Sequence, residues 1–293
     1  MHPQLVTRAI PPGLFGKMPG HGDFVRRGLA SAFVSAWDQW LQQCIAGSRE
    51  RLGSRWLEHY LVAPIWRFSL SPGLCGSDGW CGVLMPSVDR TNRHFPLTLA
   101  LTRNADLSPL AASTADNAAW FDRLEAVARS ALSIRVDADT LVHRLADLTL
   151  QSPGGIGIRA QGIAANGDLA WHFELPPNPG PNTAQVALTA ALLRCIGAEF
   201  SLWWTPGYEQ VQPTLLLRQG LPTPDDFTAM LHGRWHNSTW DTFQALETAA
   251  HRSPDSSDTE QPTLRPESYL RPETEQTAEA ESSPSPAPDG GPT

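Results

Sequence analysis

The chain has 293 residues, 41% hydrophobic and 18% charged, with a formal net charge of −8, enough material for a substantial core. Between Arg252 and Thr293 nine acids face three arginines, so this tail holds −6 of the −8 and the rest is near neutral. A body with no basic stripe excludes nucleic acid as the main partner, and no apolar run approaches the ~20 residues of a membrane helix.

Residues 1–15 lack a basic region followed by an apolar core, so no signal peptide is read and a cytoplasmic protein is expected. The first element is an amphipathic helix from Ser31 to Ile45. Phe33, Val34, Trp37, Trp40, Leu41, Cys44 and Ile45 step by threes and fours onto one face. Ser31 is a candidate cap and Gly47 a candidate left-handed stop. A second helical piece near Ser54 to Leu61 carries Trp56, Leu57, Tyr60 and Leu61.

Three strands follow, at Pro64–Leu70, Trp80–Met85 and Phe95–Leu101. The turn-rich Ser71–Gly79 segment between the first two predicts an antiparallel hairpin. Helices resume at about Asp116–Leu132 and Asp139–Leu148. Gln151–Gly162 reads as a glycine-rich loop, Leu169–Phe173 as a strand and Thr183–Ile196 as a helix. Phe200–Thr205 and Thr214–Leu217 read as strands joined by a turn at Pro206-Gly207. The last helix has the plainest end signals: Thr223 before Pro224, then Asp225 and Asp226, and Gly233 past its end.

Beyond Leu246 Ser, Thr, Pro and Glu dominate, and the sizeable apolar residues are Leu264, Tyr269 and Leu270. Such a segment cannot bury enough surface to offset its ordering entropy. The expected organisation is a lead-in over 1–13, one α+β domain over 14–246, and a disordered acidic tail over 247–293. Strands in clusters with helices before, between and after predict a mostly antiparallel central sheet layered with helices. The tryptophans at 37, 40, 56, 66 and 120 fall on apolar faces and are read as core. Trp203 and Trp204, adjacent on a strand, must point to opposite faces. Cys44, Cys75, Cys81 and Cys195 lack zinc-type spacing and are read as reduced thiols.

Two polar loops stand out against this background: Gly16-Lys17-Met18-Pro19-Gly20-His21-Gly22-Asp23-Phe24 and Met85-Pro86-Ser87-Val88-Asp89-Arg90-Thr91-Asn92-Arg93-His94-Phe95-Pro96. Glycine permits close backbone approach and proline stiffens the chain, so both predict rigid charged loops at the ends of buried elements. Neither spells a nucleotide fingerprint. Pro11 stands where a phosphate loop needs glycine, Met18 follows Lys17, and Gly20-His21-Gly22 lacks a third glycine. An anion nest from Lys17 and the Gly20–Gly22 amides is the residue of that idea.

A hydrolase would use Ser87 as nucleophile with His21 or His94 as base and Asp23 or Asp89 as orienter. Ser87 follows proline, however, without the glycine-flanked elbow that exposes a nucleophile. A metal held by His21, Asp23 and His94 has no supporting spacing. The alternative is structural: Asp23 with Arg26 and Arg27, and Asp89 with Arg90 and Arg93, as ion pairs pinning the loops together. No enzyme activity, cofactor or metal is expected. The candidate residues for partner binding or loop positioning are Lys17, His21, Asp23, Ser87, Asp89, Arg90 and Arg93.

From Leu14 to Trp240 the sequence resembles the TagF (ImpM) family of type VI secretion-associated proteins. The resemblance rests on Phe15-Gly16-Lys17-x-Pro19-Gly20-x-Gly22-Asp23-Phe24, Trp37-Asp38-x-Trp40-Leu41, Pro64-x-Trp66-Arg67-Phe68, Gly82-Val83-Leu84-Met85-Pro86-Ser87-Val88-Asp89-Arg90 and Arg93-x-Phe95-Pro96-Leu97-Thr98. Asn92 stands where the family pattern has glycine; asparagine is the best substitute in a left-handed turn. The acidic tail lies outside the family pattern. The resemblance implies post-translational restraint of type VI secretion through a cytoplasmic forkhead-associated scaffold protein. It also implies recruitment to the inner-membrane face of the apparatus by that partner, without membrane insertion.

Overall fold

The structure, a computed structural model, describes residues 11–103, 117–148, 188, 199–236 and 238–240. The chain divides into a unit from Met1 to Phe243 and a second from Gln244 to Thr293, and every described residue lies in the first. The expected elements at Gln151–Gly162, Leu169–Phe173 and Thr183–Ile196, Cys195, and the expected disordered tail lie outside the described residues, apart from Leu188.

Among the described residues seven strands form one sheet: β1 (Gly13–Gly16), β2 (Val25–Arg27), β3 (Trp66–Leu70), β4 (Gly79–Met85), β5 (Leu97–Arg103), β6 (Phe200–Thr205) and β7 (Thr214–Gln219). Their spatial order is β2-β1-β5-β4-β3-β6-β7, and every neighbouring pair is antiparallel. The expected α+β architecture is therefore the one observed. β1 and β2 were not expected, whereas the β3–β4 hairpin was.

Helices cover both faces. On one face lie α1 (Ser31–Leu52), α2 (Trp56–Leu61) and, late in the chain, α5 (Pro224–His232). On the other lie α3 (Ala118–Ser130) and α4 (Ala138–Ala146). Strand alternation divides the core accordingly. Phe15, Trp66, Phe68, Trp80, Leu84 and Trp203 join the α1 helix face. Leu14, Cys81, Val83, Met85, Leu97 and Leu99 join Trp120, Phe121, Leu124, Leu141 and Leu145 of α3 and α4. With both faces covered, β4 loses polar alternation and reads as a continuous buried run.

The tryptophans behave as core. Trp37 is fully buried beside Trp40, Phe68 and Trp203, and its indole N–H donates to Thr98 Oγ1 at 2.8 Å, so its own donor is satisfied on burial. Trp203 and Trp204 do point apart: Trp203 is buried under α1, and Trp204 packs half-buried on Phe121 at 4.8 Å. Cys44, Cys75 and Cys81 are buried, and burial pushes the Cys75 thiol up to about 12.

Two local expectations for α1 are corrected. Ser31 does not cap the helix; Ala30 occupies that position without a side-chain bond, and Ser31 Oγ accepts from Arg26 Nη2 at 2.8 Å. Gly47 does not end it either. The helix runs on to Leu52, because Gly47 faces α5 where a Cβ would stand 2.5 Å from Pro224 Cβ. The end signals of α5 hold in full. Thr223 and Asp226 form a reciprocal capping box, Pro224 starts the helix, and Gly233 closes it at φ 72°.

Candidate functional site

The two polar loops meet at the end of the sheet where β1 pairs with β5. Gly16 turns the chain out of β1 at φ 137°, and a Cβ there would stand 2.1 Å from the Pro96 carbonyl oxygen. Only glycine fits so close a crossing of the two loop ends. The first loop, residues 17–24, then lies along the second, residues 86–96.

Asp89 is the hub. Its side chain is fully buried, and Oδ2 accepts from Lys17 Nζ at 2.7 Å and Arg93 Nε at 2.7 Å. Oδ1 accepts from the Thr91 N–H at 2.8 Å, the Thr91 hydroxyl at 2.8 Å and the Arg93 N–H at 2.9 Å. Burial alone would raise this carboxyl. The bonds from Lys17, Arg93 and Thr91 outweigh it and hold the group far below the ordinary carboxylate range. Asn92 closes the tight turn at φ 64°, its N–H donating to the Asp89 carbonyl at 3.0 Å, which is the left-handed role the sequence assigned to it.

Backbone bonds complete the junction. The Arg90 N–H donates to the His21 carbonyl at 2.8 Å, and Arg93 Nη2 donates to the Gly22 carbonyl. Ser87, 4% exposed, donates its hydroxyl to the Lys17 carbonyl at 2.7 Å. From α2, the Tyr60 hydroxyl donates to the Ser87 carbonyl at 2.9 Å and accepts from the Ser87 N–H at 3.0 Å. Tyr60 in turn stacks on Trp56 at 4.6 Å, and the Trp56 N–H donates to Ser48 Oγ at 2.9 Å. The second loop is thus clamped from the helix layer as well as from the first loop.

Lys17, Ser87, Asp89 and Arg93 are therefore brought together, with His21 and Arg90 joined through backbone. Of the expected ion pairs, Asp89 with Arg93 is observed, and the others are not. Arg90 does not pair with Asp89. Asp23 is exposed and accepts from its own neighbour, the Phe24 N–H at 2.8 Å. Arg26 bonds the Leu29 carbonyl and Ser31 instead, and Arg27 pairs with Asp139 at 3.1 Å. The anion nest loses its cation, since the Lys17 ammonium is 7% exposed and already paired with Asp89.

The catalytic and metal alternatives find no such assembly. Among the described residues no hydrogen bond joins Ser87 to an imidazole. His94 lies edge-on to Trp56 and Tyr60 at 6.1 and 5.7 Å, and burial followed by the Arg49 charge holds its pKa down. His21, Asp23 and His94 are not gathered as metal ligands among the described residues. A cleft of about 310 Å³, lined by Leu61, Met85, Pro86, Arg129, Leu132 and Tyr208 among others, contains none of the candidate residues.

Two residues of the site were missed. Tyr60 was read only as part of an apolar helix face, and nothing in sequence marks its hydroxyl. Phe24 carried a signal, an aromatic inside a polar glycine loop. It is 44% exposed, stacked on Phe15 at 5.8 Å and edge-on to Phe95 at 4.8 Å.

Comparison with known proteins bears on the same region. The sequence model of a family described as the TagF N-terminal domain, type VI secretion system-associated, matches residues 13–148, a span that includes every residue of the junction. A crystal structure of PA0076 from Pseudomonas aeruginosa PAO1 at 2.05 Å resolution is similar over 80% of this chain and 99% of that chain, at 32% identity and a TM-score of 0.65. No curated protein matches.

Proposed function

The chain belongs to the TagF family of type VI secretion-associated proteins, and from that premise we propose that it restrains type VI secretion post-translationally by binding a cytoplasmic forkhead-associated scaffold component. The observation carrying this reading is that the junction's reactive groups are committed to one another. The Ser87 hydroxyl donates to Lys17, and the Lys17 ammonium is held by Asp89. A nucleophile must be free to lose its proton to a base. Here the residues that would do chemistry build a stiff surface instead, which supports a binder rather than a hydrolase and calls for no cofactor. In this reading the protein works in the cytoplasm and reaches the inner-membrane face of the apparatus through its partner.

The experiment is a pull-down of the full chain against the forkhead-associated protein of the same gene cluster, alongside secretion assays in a deletion strain. Capture of the scaffold and increased secretion on deletion are expected. Absence of both removes the proposal.

A further inference from the structure

We infer that Phe24, flanked by Arg90 and Arg93, is the anchor of the docking face, and that it receives an apolar side chain set in an acidic segment of another protein. This rests on the binding reading above and names the atoms and chemistry it leaves open.

Phe24 is 44% exposed yet immobilised from beneath. Its ring lies nearly parallel to Phe15, with centroids 5.8 Å apart and planes at 8°, and edge-on to Phe95 at 4.8 Å and 82°. Phe15 and Phe95 are each 6% exposed and belong to the core, and Lys17 Nζ sits 5.0 Å from the Phe24 centroid. An aromatic ring already held in place loses little rotamer freedom when a partner covers it. Exposed aromatic surface on a rigid seat, with Arg90 and Arg93 two residues away at Gly22, has the composition of an interface hot spot.

The charges around the ring are unbalanced in one direction. Arg93 bonds Asp89 and Gly22 but leaves 57% of its side chain exposed. Arg90 lays its guanidinium over Gly22, where a Cβ would stand 3.1 Å from Nη2. Among the described residues that guanidinium makes no hydrogen bond or ion pair. Arg26, two residues along the same face of the chain, adds a third exposed cation, tied only to the Leu29 carbonyl and Ser31. Against them stand Asp89, whose carboxylate is buried, and Asp23, which is exposed. Arg27 points to the other face and is neutralised by Asp139.

An unpaired guanidinium beside an apolar anchor selects a carboxylate-bearing partner, which it engages bidentately, and rejects a basic one. Because the whole chain carries −8, attraction of an acidic partner must come from this patch and not from overall charge.

Isothermal titration calorimetry of the full chain against the scaffold partner proposed above tests this, with the wild type, Phe24→Ala and Arg90→Glu compared. Each substitution is expected to weaken binding at least about tenfold. The Arg90→Glu complex should also lose most of the wild type's weakening between low and high salt. The Arg90 N–H bonds the His21 carbonyl through backbone alone, and its side chain makes no hydrogen bond or ion pair among the described residues, so its variant keeps the wild-type melting temperature even if Phe24→Ala does not. If the wild type binds and Arg90→Glu binds equally well, the inference fails while the binding function stands. If the wild type does not bind, both fall. If the substitutions abolish self-association in sedimentation while partner binding persists, the face serves a second copy and the inference is overturned.

Discussion

Asp89→Asn keeps the shape of a fully buried side chain and removes its charge. Oδ1 survives as the acceptor for Thr91 and the Arg93 N–H, but an amide NH2 replaces Oδ2 and meets two donors, Lys17 Nζ and Arg93 Nε. Arg93, 57% exposed, can turn its guanidinium to water; Lys17, 7% exposed, cannot. Leaving one partner of a buried ion pair uncompensated costs about 3–5 kcal/mol. For a domain of this size each kcal/mol lowers the melting temperature by about 2–4 °C, so a fall of roughly 6–20 °C is expected. Lys17→Met in the Asp89→Asn background removes the orphaned ammonium and should restore part of the loss. The double-mutant coupling is then about 1–3 kcal/mol. Urea and thermal unfolding by circular dichroism measure Asp89→Asn, Lys17→Met and the double variant. A loss under about 1 kcal/mol for Asp89→Asn, or strictly additive effects, refutes the assignment of Asp89 as the hub.

Ser87→Ala leaves the buried Lys17 carbonyl without its donor and should cost about 1–3 kcal/mol; partner affinity in calorimetry should stay within about twofold, and its collapse with the fold intact would make Ser87 a contact residue. Asn92→Gly should leave the melting temperature nearly unchanged, whereas Asn92→Val, forced to φ 64°, should cost about 1–2 kcal/mol; equal behaviour of the two variants contradicts the turn assignment. Burial first, then the neighbouring His59, Arg234 and Arg55, lower the His232 pKa from 6.5 to about 4. A group depressed on folding contributes stability above its unfolded pKa. That contribution is therefore present above pH 6.5 and lost as pH falls from 6.5 through about 4. Unfolding midpoints should decline across that window and decline less in His232→Gln; identical pH profiles exclude the effect.

What the sequence disclosed followed how local each signal was. The ends of α5 were legible because capping box, proline and glycine lie within eleven residues and act on their own backbone. The left-handed Asn92 was legible for the same reason. Gly47 misled, since a glycine's helix-stopping tendency is weak beside a packing contact with Pro224, a residue far along the chain. β1 and β2, four and three residues long, carry too little pattern to be read alone; β5, which pairs with β1, stabilises them. The charged loops announced themselves, and their convergence was anticipated. Their pairing was anticipated only for Asp89 with Arg93. Sequence neighbours Arg26, Arg27 and Arg90 were the natural partners for Asp23 and Asp89, but the buried bond joins Lys17 to Asp89 across 72 positions. Only the sheet, by placing β1 beside β5, brings those residues within reach.

The account stands on the junction being a face that another protein covers. Amide hydrogen exchange of the full chain, alone and saturated with the forkhead-associated scaffold, reads this directly. Slowed exchange concentrated in peptides spanning 17–27 and 86–96 is the predicted result. Slowed exchange confined to other segments, with these two loops unchanged on complex formation, contradicts it.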